Sequence, residues 1–223
     1  MRLGLFSDLH GNHETLEPTL AALRERKADH LICLGDVLGK SGDNLRCLDL
    51  LFAADVKIVR GNHDKHGIRS LPGAYRDKFS ERLQNVLRIE TFLFAHTTTC
   101  IDAIYGRGLW SSDRIHTPEQ SAAQFAADPF WIFCYGHTHA AALWDYDGSN
   151  TPKLTPIQAP AQYTLDPHRR YLLNPGPLTG RKDIDVESPG RKTAVRGTPS
   201  FAFFDSETGM LQVELALAAS RSG

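Results

Sequence analysis

Five short apolar runs in the first 140 residues each stop at groups that bind protons or metals. RLGLF leads into Ser7-Asp8-Leu9-His10, and HLICL into Gly35-Asp36. KIVR leads into Gly61-Asn62-His63-Asp64, FLFA into His96, and WIFCY into Gly136-His137-Thr138-His139. Chance could supply one or two such ends, but five in succession is hard to attribute to it. The runs read as strands. Between them, residues 13–27 set Leu16, Leu20 and Leu23 at helical spacing, and residues 44–54 do the same with Leu45, Leu48 and Phe52. Residues 74–85 and 118–128 complete the predicted helices, with Pro18 an awkward guest in the first. Alternating strands and helices predict parallel α/β pairing, and ligands of an open α/β sheet bind beyond the carboxyl ends of its strands.

After residue 140 the pattern changes. AALWDYD, RYLLNPG, SFAFFD and LQVELAL read as short strands separated by Pro/Gly loops. The segments 148–162 and 179–199 read as long surface loops. The expectation is one domain over 1–223: residues 1–140 mainly βαβ units, and residues 141–217 mainly strands that complete the same core. A chain of 223 residues with 41% hydrophobic and 23% charged residues is long and apolar enough for such a core.

Composition also narrows the function. Net charge is −1 and no polybasic run occurs, so binding along a nucleic-acid backbone by bulk charge is not indicated. No stretch approaches the length of a membrane span, and the first residues carry too short an apolar run for a signal peptide. The four cysteines form no C-x-x-C pair, and Cys33 and Cys134 sit inside apolar runs, as buried thiols of a reducing compartment do. A cytoplasmic protein is expected.

The strand ends supply seven candidate metal ligands: Asp8, His10, Asp36, Asn62, His96, His137 and His139. Asp, Asn and His without thiolate suit Mn²⁺, Fe or Zn²⁺ in a catalytic site, and seven donors exceed what one four-coordinate ion needs. Each has a plainer alternative. Asp8 and Asp36 could be turn or capping residues, and Asn62 suits a tight turn. Asn12 could meet a phosphate or cap the following helix. Arg60 could reach substrate or simply end a strand. His116 is an alternative to His96, and Asn174-Pro175-Gly176 could be no more than a rigid turn.

D-x-H, G-D-x-x-G, G-N-H-D, a later His and G-H-x-H, in that order, resemble the calcineurin-like metallophosphoesterase superfamily, in particular its compact bacterial and archaeal phosphodiesterase branch. The resemblance spans Asp8 to His139, and Asn174-Pro175-Gly176-Pro177 is similar to the family's N-P-G-S element. It implies an α/β fold, a four-layer αββα sandwich of two mixed β-sheets flanked by helices. It implies two divalent metal ions, Mn²⁺ foremost, with Fe, Zn²⁺, Ni²⁺ or Mg²⁺ as alternatives. Asp8, His10 and His139 would hold one ion, Asn62, His96 and His137 the other, and Asp36 would bridge them. His63 would protonate the leaving oxygen or stabilise the transition state, with Asp64 orienting it. In one respect the chain departs from the pattern, since the family has Gly where Thr97 follows His96.

The activity so implied is hydrolysis of phosphate esters, foremost phosphodiesters or nucleotides, by in-line attack of a hydroxide bridging two metals. The partner would be a small phosphate-ester substrate. A phosphomonoesterase, a dinucleoside polyphosphatase or protein phosphatase, and a non-catalytic scaffold of the same fold are the alternatives. Protein phosphatases and symmetrical tetraphosphatases usually carry Asp-Arg-Gly after the second motif, a region occupied here by Gly39-Lys40-Ser41-Gly42. Scaffold relatives lack part of the ligand set that this chain keeps.

Overall fold

The structure is a computed structural model. It describes residues 1–40, 42–97, 117–149, 151–179, 185–188, 191–194 and 198–218. The elements run β1 (Arg2–Phe6), α1 (His13–Glu25), β2 (His30–Cys33), α2 (Asn44–Ala53), β3 (Lys57–Val59), α3 (Asn62–Gly67) and α4 (Gly73–Arg82). β4 (Leu83–Gln84), β5 (Val86–Ile89), β6 (Phe92–Ala95), α5 (Pro118–Ala127), β7 (Ile132–Cys134), β8 (Ala142–Tyr146) and β9 (Lys153–Pro156) follow. The chain continues through β10 (Ala161–Thr164), β11 (Arg170–Asn174), β12 (Asp185–Ser188), β13 (Arg191–Ala194), β14 (Ser200–Asp205) and β15 (Met210–Leu215).

Two mixed sheets result. One is ordered β10-β15-β14-β1-β2-β3-β4 and the other β5-β6-β7-β11-β8-β9. β1 through β4 pair in parallel, as the crossovers through α1 and α2 require, while β14 joins β1 antiparallel. In the second sheet β6, β7 and β11 are parallel, and β5, β8 and β9 are antiparallel additions. β12 and β13 form a separate hairpin.

The period of two along the strands sets the layers. Leu3, Leu5, Ile32, Phe92, Phe94, Ile132, Cys134 and Leu173 point between the sheets and form one core. Their alternates point outward. Phe6 and Cys33 meet Leu16, Leu20, Leu23, Leu48 and Leu51 of α1 and α2, while Leu93, Phe133, Tyr135 and Leu172 meet Phe125 of α5. This is the expected four-layer arrangement of two mixed sheets between helices. Only strands apolar on both faces fit such a position, which is why the central strands read as unbroken apolar runs.

Several local expectations are corrected. Residues 148–162, read as loop, contain β9 and the start of β10, and 179–199 contains the β12–β13 hairpin. β9 and β10 are edge strands with no fully buried side chain, so they lack the unbroken apolar run that marks the central strands. The helix expected over 74–85 ends at Arg82, and the chain passes directly into β4. Residues 62–67, read as a polar loop after β3, form the helix α3. Pro18 lies inside α1, close to its start, and the residue one turn before it, Glu14, is exposed.

Candidate metal centre

The loops after β1 and β2 continue the parallel ladder beyond the strands. Asp8 N–H donates to the Gly35 carbonyl at 3.0 Å, His10 N–H to Asp36 at 3.0 Å, and Gly11 N–H to Val37 at 2.9 Å. The loop after β7 docks on the first of these, because His137 N–H donates to both oxygens of Asp8, at 3.3 and 3.1 Å. Asn174 holds that loop from behind. Its Nδ2 donates to the Gly136 carbonyl at 2.8 Å and to Thr138 Oγ1 at 2.9 Å.

The backbone carries strain at these loops. The non-glycine residues with positive φ, among those described, are Asp8, His10, Lys27, Asp36, Asp55, Glu90, His137 and His139. Five of these eight are candidate ligands. Left-handed backbone at such residues costs about 1–3 kcal/mol each and concentrates at functional sites.

The side chains converge in two groups. In the first, Asp8 Oδ1 lies 3.2 Å from His139 Nε2, which faces His10 Nε2 at 3.2 Å. In the second, Asn62 Oδ1 lies 2.9 Å from His137 Nδ1 and 3.1 Å from His96 Nε2. Asp36 stands between them, its Oδ2 at 3.4 Å from His96 Nε2 and 3.8 Å from His10 Nε2. Ligand atoms of Asp8, His10 and His139 lie within 4.8 Å of one another, as do those of Asp36, His96 and His137, and those of His10, Asp36 and His63.

All seven predicted ligands are therefore brought together. His96 enters the second group despite the Thr97 that follows it. Its Nδ1 is 2.7 Å from the Leu34 carbonyl, so Nδ1 carries the hydrogen and Nε2 faces the site. His116 lies outside the described residues.

A cation fits this donor set. Asp8 and Asp36 are 0% and 2% exposed, and among the described residues neither has a Lys or Arg partner. Buried carboxylates without such partners are stabilised by metal, by protonated imidazole or by several hydrogen bonds, or else take up a proton. In the metal-free molecule the imidazoles take that part. Burial pushes His96 down, but the Asp36 carboxylate, its hydrogen bond and Asp8 outweigh it and raise His96 to about 10. Burial likewise opposes, and Asp8 overcomes, the shift of His139, which is raised. His10 is lowered, with burial the largest cause. Burial would raise the two carboxylates, yet the facing histidines hold both below the ordinary range.

The remaining predicted residues take different places. His63 is exposed, its ring edge-on to His10 with centroids 4.6 Å apart, and its backbone N–H donates to Asp36 Oδ1 at 2.8 Å. Asp64, expected to orient His63, instead accepts from backbone N–H groups. Oδ2 receives Asp36 N–H at 3.0 Å and Gly61 N–H at 2.9 Å, and Oδ1 receives Leu38 N–H at 2.9 Å. Burial and the Asp36 charge push Asp64 up to about 7, against the pull of these donors. Asn12 caps α1, its Oδ1 accepting from Thr15 N–H at 3.4 Å while Nδ2 donates to the Leu178 carbonyl at 3.2 Å. Arg60 directly follows β3, half-buried, its N–H donating to the Gln84 carbonyl at 2.7 Å. The backbone contacts of Asp64 span 26 and 28 residues and went unread in the sequence. The three-residue spacing from Gly61, which is that of a helix-capping carboxylate, signalled only the local bond to Gly61 N–H.

A sandwich of two mixed sheets with an Asp/His/Asn cluster at the strand ends defines an α/β fold with a candidate metal-binding site. The chain matches the calcineurin-like phosphoesterase superfamily domain over residues 1–198 and belongs to that family. Among solved structures it is similar to a metallophosphoesterase from Sphaerobacter thermophilus, at 21% identity and a TM-score of 0.75, covering 98% of this chain and 90% of that one. An archaeal phosphodiesterase shares the fold at 15% identity and a TM-score of 0.55, covering 96% of this chain and 99% of that one. A symmetrical bis(5'-nucleosyl)-tetraphosphatase of Erwinia tasmaniensis is 30% identical over 89 residues, which are 39% of this chain and 32% of that protein.

Proposed function

We propose that this protein is a dinuclear metal-dependent phosphodiesterase acting on small phosphodiesters or nucleotides, with residues 1–223 forming one catalytic domain. The observation that carries the reading is Asp36 Oδ2 standing between two complete donor groups, each with two imidazoles and one further oxygen donor. In this reading Asp8, His10 and His139 hold one ion, Asn62, His96 and His137 the other, and Asp36 serves both, with Mn²⁺ the foremost occupant. Two divalent ions held there would supply Lewis-acid polarisation of the phosphoryl oxygens and of a water, chemistry suited to phosphate-ester hydrolysis.

The chain's own groups do the rest. Asp36 Oδ1 anchors the His63 backbone, which sets an exposed imidazole beside His10 at the mouth of the site. That imidazole protonates the departing oxygen. Arg60 and the second Nδ2 hydrogen of Asn12 are the groups we assign to substrate contact. The archaeal phosphodiesterase supports a diester through fold alone, and the Erwinia tetraphosphatase supports a nucleotide through a partial match. Cys33, Cys47 and Cys134 are buried free thiols, which supports a reducing, cytoplasmic setting. No helix among the described residues is long and apolar enough to cross a membrane.

The test is hydrolysis of bis-p-nitrophenyl phosphate against p-nitrophenyl phosphate, by protein stripped of metal and reloaded with Mn²⁺. Metal-dependent turnover favouring the diester is expected. Turnover without metal, or of the monoester alone, would overturn the reading.

A further inference from the structure

A fully buried carboxylate with no part in the chemistry described above lies directly behind the candidate centre. Asp64 is 0% exposed and belongs to the first turn of α3. Within its own segment it does what an acidic residue at that position does, accepting the Gly61 N–H that precedes the helix. Its other two bonds reach outside that segment, to Asp36 N–H and Leu38 N–H of the loop after β2. One side chain thus ties the start of α3, which carries Asn62 and His63, to the loop that carries Asp36.

The loop so held is strained and tightly packed. Asp36 has φ of +54°. Its carbonyl accepts His10 N–H at 3.0 Å on one side, and its N–H reaches Asp64 on the other. Gly61 passes so close that a Cβ there would lie 2.2 Å from Asp36 N and 2.1 Å from Asp36 Oδ1. With the backbone fixed this way, Asp36 Oδ1 meets His63 N–H and Oδ2 is left facing His96 and His10.

We infer that Asp64 is the positioning residue that holds Asp36 between the two donor groups, so that one carboxylate serves both. This rests on the dinuclear reading above. It separates the role of Asp64 from His63, whose backbone is held by Asp36.

The experiment is paramagnetic resonance of protein reloaded with two equivalents of Mn²⁺, with calorimetric Mn²⁺ titration of the metal-free protein. Ions sharing a carboxylate give an exchange-coupled spectrum, and ions bound separately do not. Asp64→Asn keeps the shape of the side chain but presents an NH₂ to one set of backbone donors. The coupled signal is expected to be lost, and Mn²⁺ binding to weaken by about 10–100-fold, as for other groups that orient a ligand. Asp64→Glu provides a second variant should the first not fold. It keeps an acid at the helix-capping position and displaces the bonds to Asp36 and Leu38, so coupling is expected to weaken while α3 remains capped. A folded Asp64→Asn or Asp64→Glu protein with wild-type Mn²⁺ affinity and an unchanged coupled spectrum would overturn the inference and leave the phosphoesterase reading intact. A wild-type protein that gives no coupled spectrum would overturn the dinuclear reading along with it.

Discussion

The Nε2 atom of His96 lies 3.4 Å from Oδ2 of Asp36, both groups being almost fully buried. Without metal, this contact makes His96 a cation over an unusual range, its pKa raised from 6.5 to about 10. The raised value contributes stability that is fully present below about pH 6.5 and is lost as pH climbs through about 10. His139, also raised, acts in the same direction. His10, lowered by burial, contributes in the opposite sense and loses its share as pH falls below 6.5. Denaturation midpoints of the chelated protein should therefore decline from neutral pH toward pH 10, and His96→Gln should flatten that decline. Metal loading at pH 8 should release protons, since His96 must give up its own to become a ligand. Calorimetry in buffers of different ionisation enthalpy reads this directly; loading without proton release would contradict it.

Asp36→Asn tests the shared ligand. The amide keeps Oδ1 for the His63 N–H, so the local fold should persist. An NH₂ would replace Oδ2 where it faces His96 and His10, removing a charge and an acceptor at once. Turnover should fall by more than the roughly 10–100-fold typical of groups that merely orient a ligand. Bound metal, measured by elemental analysis, should fall with it. Full activity in this variant would contradict the two-metal reading.

Much of this was legible in the sequence, and for a physical reason. A strand buried on both faces must be apolar throughout, so β1, β2, β6 and β7 announce themselves, and the polar residues that end them stand out. What stayed unread was polar or distant. β9 and β10 carry Gln162, Thr164 and Pro156 because edge strands need no second buried face. α3 is only six residues long, with Asp64 among its few packing groups. Asp64 binds peptide N–H groups, which every residue but proline possesses, so no pattern of residue types encodes its partners.

Gly61→Ala separates close packing from backbone freedom. The added Cβ would meet Asp36 N at 2.2 Å, a backbone atom that cannot swing aside. Overpacking of this kind costs about 1–3 kcal/mol, a fall in Tm of roughly 3–10 °C for a chain of this size, with loss of metal affinity because the clash falls on Asp36. Gly148→Ala is the control. Its φ is +89° but nothing lies within 4 Å of an added Cβ, so it should cost about 1 kcal/mol and leave metal binding unchanged. Equal effects of the two changes on metal affinity would contradict the packing argument.

His63→Gln tests the assignment of a proton donor against that of a ligand. The ligand atoms of His63, His10 and Asp36 lie within 4.8 Å of one another, so proximity alone permits either role. His63 is exposed, whereas the seven assigned ligands are buried or half-buried, and its ring lies edge-on to His10. A donor should be removable without disturbing the metals. The variant should bind Mn²⁺ with wild-type stoichiometry and affinity while kcat falls about 10²–10⁴-fold. The loss should also depend on the leaving group. A nitrophenolate departs with little help from an acid, whereas an alkoxide such as a nucleoside oxygen needs its proton. The defect should therefore be larger on a nucleotide diester than on bis-p-nitrophenyl phosphate. Loss of one bound ion, or an equal defect on both substrates, would instead make His63 a ligand or a purely electrostatic group.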